Sequence, residues 1–67
     1  MKINLNNRPE ELEGDRLLVP ELLKAKNFTF KMLIIKINGK LIGKQDYATT
    51  AVVEGDDVQV VHLISGG

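Results

Sequence analysis

Cysteine is absent from the 67 residues, and histidine occurs once, at His62. The first absence removes disulfides, thiolate nucleophiles and cysteine metal sites in one step. The second leaves His62 without the partners needed for a zinc site or for a nucleophile and its base. No apolar run approaches the roughly 18 residues that cross a bilayer. The opening stretch MKINLNNRPEE turns polar before the apolar centre of a secretion signal could form. Repeats, linkers and low-complexity tracts are missing too. These exclusions leave one small domain, expected in the cytoplasm, with no catalytic apparatus of its own.

An apolar fraction of 43% is that of a chain able to bury a core. Nine basic and nine acidic residues balance, but their order is uneven. Residues 1–23 carry three positive and five negative charges, a balance of −2. The stretch from Lys24 to Lys44 holds six lysines and no acid, +6, and Asp46, Glu54, Asp56 and Asp57 then give −4. A basic middle can serve nucleic acid or an acidic partner. Lysines spaced singly between apolar residues are better read as the solvated faces of a helix end and a strand.

Ile3 and Leu5 alternate with polar neighbours, the period-two pattern of a half-buried strand. NNRP is turn chemistry, and EELE reads as the returning strand, with Leu12 buried. Gly14-Asp15 ends that hairpin. In LLVPELLKAK, apolar residues at 18, 19, 22, 23 and 25 predict a helix of about three turns beginning near Val19. Pro20 suits its first turn, and Lys24 and Lys26 suit its C-terminus. No polar N-cap precedes it. KMLIIKI predicts a strand, Asn38-Gly39 a hairpin turn, and Leu41-Ile42 its short return. KQDYATTAV reads as a loop with one helical turn that plants Tyr47 and Ala48 on the core. EGDD is a turn and VQVVHLI the final strand. One helix across a small mixed sheet of four to five strands fits this order, an α+β architecture.

The order of elements resembles the β-grasp fold of ubiquitin-like proteins. PELL in the helix, IKINGKLI, DYA, EGDDV before the last strand and the final Gly66-Gly67 resemble the ThiS family of sulfur carrier proteins of thiamine biosynthesis. The resemblance implies a single β-grasp domain over residues 1–64 and a flexible diglycine tail over 65–67. It also implies that the Gly67 carboxylate is adenylylated by a ThiF-like adenylating enzyme, which uses ATP. The product is a thiocarboxylate charged by a sulfur donor protein and consumed by thiazole synthase. No cofactor is expected on the chain itself, and no nucleic acid or membrane partner. A sulfur carrier for molybdopterin synthesis and a non-covalent β-grasp binding module are the alternatives.

Elementary chemistry agrees with a tail that reacts. A terminal carboxylate has an ordinary pKa near ~3.5, so at neutral pH it is an anion and a poor electrophile. It becomes reactive when activated, for example as an acyl-adenylate. Without cysteine, no side-chain thiol could hold a transferable sulfur. Ser65 and Gly66 would thread a narrow channel to the nucleotide, where a Cβ at 66 or 67 would widen the peptide.

The alternation of the last strand assigns its faces. Val58 and Val60 should face the helix, with Ile64 continuing that side, and His62 should sit at the rim. Val61 and Leu63 then point to the opposite face, where Ile34 and Met32 extend an apolar patch. Such a patch marks a partner interface. GKLIGKQ departs from a phosphate loop in spacing and lacks its Ser/Thr, and the EELE carboxylates read as solvated.

Overall fold

In the computed structural model, residues 1–28 and 33–63 are described. The first strand, β1 (Lys2–Leu5), turns at Asn6-Asn7 into β2 (Arg8–Glu11). Both turn residues have positive φ, 51° and 66°, which matches the twist of a two-residue hairpin. The turn is therefore two residues earlier than EELE suggests, and Arg8-Pro9 belongs to the strand. Pro9 is tolerated because β2 is an edge. Leu12 is partly buried against the core.

A short strand, β3 (Arg16–Leu18), leads directly into the helix α1 (Val19–Ala25). The helix has seven residues, or about two turns, rather than the three expected. Leu17 and Leu18, which look like part of its apolar stripe, pair instead with β6 (Ala51–Val53) in a two-stranded sheet. Ala25 is exposed, so the stripe ends at Leu23. The pairing also explains the missing polar N-cap. The Val19 N–H donates to the Thr50 carbonyl at 3.0 Å, and the Leu18 N–H donates to Glu21 Oε1 at 2.9 Å. One donor at the helix entrance is thus satisfied from beside β6 and the other by the helix's own Glu21.

At its other end the Asn27 N–H donates to the Lys24 carbonyl at 3.1 Å, and the Phe28 N–H to the Leu23 carbonyl at 2.8 Å. With Asn27 at φ 60°, this is the double-bonded, left-handed helix stop.

Next come β4 (Leu33–Ile37) and β5 (Lys40–Ile42), joined by Asn38-Gly39 at φ 52° and 82°. A 3₁₀ helix over Lys44–Thr49 then leads to β6 and finally to β7 (Asp57–His62). Tyr47 packs partly buried against the core, as expected. Ala48 is exposed, so only the tyrosine of that pair is planted.

The main sheet has five strands in the order β2-β1-β7-β4-β5, and β1 and β7 are its parallel pair. The helix, the 3₁₀ helix and the β3–β6 pair cover one face. This is the β-grasp architecture, with an additional small sheet beside the helix. Its core among the described residues is Ile3, Leu5, Val19, Leu22, Ile35, Ile37, Val52, Val58 and Val60. Every one is aliphatic, and no polar side chain among the described residues is buried. No described helix is long and apolar enough to cross a membrane.

Candidate functional site

Asparagine and acidic side chains set where β7 begins. Asp56 accepts from the Val53 N–H at 2.9 Å and from Asn38 Nδ2 at 3.0 Å. Asn38 Oδ1 in turn accepts from the Asp57 N–H at 2.9 Å, while Asn4 Nδ2 donates to Asp57 Oδ1 at 3.1 Å. Glu54 Oε1 accepts from the Lys2 N–H at 2.7 Å. The acidic EGDD stretch is therefore built into the joints between strands, where each carboxylate meets a donor.

Farther along, β1 has ended at Leu5, and the Val60 N–H is met instead by Asn6 Oδ1 at 2.8 Å. The side chain of a turn residue thus extends the ladder by one rung. Held in this way along its length, β7 presents fixed faces.

Val58 and Val60 point into the core, with 0% and 8% exposure. Val61 and Leu63 point out, 47% and 40% exposed. Ile34, half-buried, stands directly opposite Val61 in the β4–β7 register, so the two share the outer face. His62 is exposed at the rim, opposite Leu33. Met32, Ile64, Ser65, Gly66 and Gly67 lie outside the described residues.

One member of the apolar surface escapes sequence reasoning. Leu41 on β5 is 61% exposed, more than any other large apolar side chain among the described residues. Its face follows from the register, which sets it opposite Lys36 and hence on the outer side with Ile34. Beside it lies a hollow of about 580 Å³ between the end of α1, the β4–β5 hairpin and the 3₁₀ helix. Phe28, Ile34, Leu41, Ile42, Lys44 and Tyr47 are among the residues that line it.

The lysines of the basic middle are dispersed. Lys24 is exposed on the helix, Lys36 on the outer face, and Lys40 and Lys44 near the β5 edge. Lys26 pairs with Glu10 at 2.7 Å. Lys31 lies outside the described residues, and the described lysines form no single basic face. Among the described residues no three acidic or histidine side chains are grouped as a metal site.

The chain matches the family model described as ThiS family over residues 3–67. It is 26% identical over 65 residues to the sulfur carrier protein ThiS of Bacillus subtilis, covering 97% of this chain and 98% of that one. Over all of its 67 residues it is 31% identical to part of the thiazole synthase of Magnetococcus marinus, and spans 20% of that protein's length. Among solved structures, the crystal structure of the thiamine biosynthesis protein ThiS from Geobacter metallireducens superposes with a TM-score of 0.89 at 28% identity, with both chains fully covered. A solution structure of a thiamine biosynthesis protein from the same organism gives 0.81 at 28% identity, covering 100% of this chain and 88% of that one. Sequence motifs, topology and these likenesses agree, and the chain belongs to the ThiS family.

Proposed function

We propose that the chain is a sulfur carrier of thiamine biosynthesis, acting as a protein cosubstrate and not as a catalyst. The observation that carries the reading is the ThiS match over residues 3–67, which takes in Gly66 and Gly67. In the first step the Gly67 carboxylate attacks the α-phosphorus of ATP on an adenylating enzyme, forming an acyl-adenylate and releasing pyrophosphate. In the second, a sulfur nucleophile from a donor protein attacks the acyl carbon. A C–S bond forms, the C–O bond to the phosphate breaks, and AMP leaves. With a donor persulfide as that nucleophile the product is an acyl disulfide. A second thiol, from outside this chain, attacks the donor sulfur, the S–S bond breaks, and the donor leaves as a disulfide with that thiol. The terminus is freed as a thiocarboxylate, whose sulfur passes to thiazole synthase. The likeness to one fifth of a thiazole synthase supports that last partner, since such a domain then belongs to the same chain as the enzyme.

The residues divide the work. Val61, Leu63 and Ile34 provide the surface on which the partner rests, and the asparagine–aspartate joints hold β7 in place. Ser65 and Gly66 thread the channel, with Gly67 as the reacting group. Residues 1–64 form the folded body and 65–67 the tail.

The test is ATP–pyrophosphate exchange with the adenylating enzyme of the same organism. Adding one alanine after Gly67 moves the carboxylate by up to ~3.5 Å. Displacements of about 1 Å already cost roughly a hundredfold in rate when reacting groups must align. The extended chain is expected to fold and bind normally but to support no exchange. Gly67→Ala should be milder, since its carboxylate stays within reach. Full exchange by the extended chain would remove the tail from the chemistry and leave a non-covalent binding module.

A further inference from the structure

Five asparagines occur in the chain, and Asn38 is the one followed by glycine. Leu5, Asn7, Arg8 and Phe28 follow the others. The backbone nitrogen of the next residue can attack an asparagine side chain, and a β-carbon on that residue crowds the approach. Gly39 has none, so Asn38 is chemically the most labile of the five. Water reaches the site, since Asn38, Gly39 and Lys40 are all exposed.

The fold opposes this reaction in two ways. With φ 52° and 82°, Asn38 and Gly39 form a left-handed two-residue turn closed by Ile37 opposite Lys40. Such a turn has ψ near roughly +30° at its first central residue. The Asn38 β-carbon then lies almost trans to the Gly39 nitrogen, and the ring that the attack forms cannot close. Both ends of the side-chain amide are also occupied. Nδ2 donates to Asp56 Oδ1 at 3.0 Å, and Oδ1 accepts from the Asp57 N–H at 2.9 Å. The Asn38 N–H adds a third tie, to the Asp57 carbonyl at 2.7 Å. Attack therefore requires the hairpin and the start of β7 to part first.

We propose that Asn38 is a deamidation site gated by this joint, and that its product cannot remake the joint. When the turn opens, the Gly39 nitrogen bonds to Asn38 Cγ and gives up its proton. The Cγ–Nδ2 bond breaks and Nδ2 leaves as ammonia, which closes a five-membered succinimide. Water then adds to either ring carbonyl, and the bond from that carbon to the Gly39 nitrogen breaks. At Cγ this yields aspartate; at the backbone carbon it yields isoaspartate, with the chain rerouted through the side chain. Aspartate at position 38 has no donor for Asp56, so two carboxylates face each other where a hydrogen bond stood. Isoaspartate adds a carbon to the backbone of a turn whose register allows two residues. Asp56 also accepts from the Val53 N–H at 2.9 Å, so the loosening reaches the β6–β7 turn.

To test this, the full chain is incubated in native buffer and, in parallel, in guanidinium chloride at the same pH and temperature. Proteolysis and mass spectrometry then locate the mass gained when OH replaces NH2, with isoaspartate separated by chromatography. The unfolded chain should gain it first at Asn38, before the other four asparagines. In the native chain the rate at Asn38 should be at least about tenfold lower, reflecting the ties that opening must break. Asp56→Ala in native buffer should fall between these rates, with circular dichroism checking its fold. Asn38→Asp, the simpler of the two products, should melt a few degrees below the wild type. Equal rates in the native and unfolded chains remove the gate, and a gain that begins at another asparagine removes the site. An Asn38→Asp variant that melts with the wild type removes the consequence. If Asp56→Ala does not fold, the comparison of native and unfolded wild type decides alone.

Discussion

Asparagine does an unusual share of the work, and its chemistry explains why. Asn6, Asn7, Asn27 and Asn38 all have positive φ, a region that most side chains avoid and asparagine visits at low cost. Two of the four also use their amides. Asn6 accepts from Val60, and Asn38 both donates to Asp56 and accepts from Asp57. Asn27 is different. It is exposed, and its role is the backbone conformation that stops α1 and turns the chain at Phe28. Asn27→Ala therefore isolates the cost of a left-handed β-carbon, roughly 1–2 kcal/mol. Chemical denaturation should show a lower midpoint with an unchanged slope, and Asn27→Gly should equal or exceed the wild type. Equal stability of the alanine variant would mean that the helix stop is not held by this residue.

Among the elements, the strands with a visible period were the legible ones. Ile3 and Leu5 alternate cleanly and form β1, and Asn38-Gly39 marks the β4–β5 hairpin. The strands β3 and β6 were not legible, for a physical reason. Each has three residues, too few to show a period of two, and they pair across more than thirty positions, Arg16 with Val53. Leu17 and Leu18 adjoin a real helix, so their apolarity merges with its stripe. The candidate surface was half legible in the same sense. Val61 and Leu63 break the alternation of a one-sided strand, which reveals them. Leu41 breaks nothing, and only its register opposite Lys36 shows which way it faces. Replacing Val61 and Leu63 together by serine removes apolar area from the exposed side of β7 and leaves Val58 and Val60 in place. Stability should change by about 1 kcal/mol or less. Binding to the adenylating enzyme should weaken tenfold or more, the usual consequence of losing apolar anchors at an interface. Unchanged affinity in calorimetry would reduce the patch to ordinary surface.

On the scale of the whole molecule, the two ends of the described chain meet in the middle of the sheet. β1 is parallel to β7, with Asn4 opposite Asp57 and Leu5 opposite Val58. The strand that leads to the tail thus depends on residues more than fifty positions away. That pairing is short, and past Leu5 it continues through Asn6, whose N–H donates to the Val58 carbonyl at 2.9 Å and whose Oδ1 accepts from the Val60 N–H. Asn6 also sits at φ 51°, so alanine there would combine two losses. Glycine separates them, because it tolerates the backbone and removes only the acceptor. Asn6→Gly leaves a part-buried N–H without its partner, a cost of about 1–3 kcal/mol. For a domain of this size, each kcal/mol corresponds to a melting shift of roughly 4–8 °C. Asn6→Asp keeps an acceptor oxygen and a residue that accepts positive φ, and should recover most of the loss. Hydrogen exchange at the Val60 amide gives the local readout: faster in Asn6→Gly, near wild type in Asn6→Asp. If Asn6→Gly melts with the wild type and its Val60 amide stays protected, the strand is held by core packing alone. The polar joints would then set direction without adding strength.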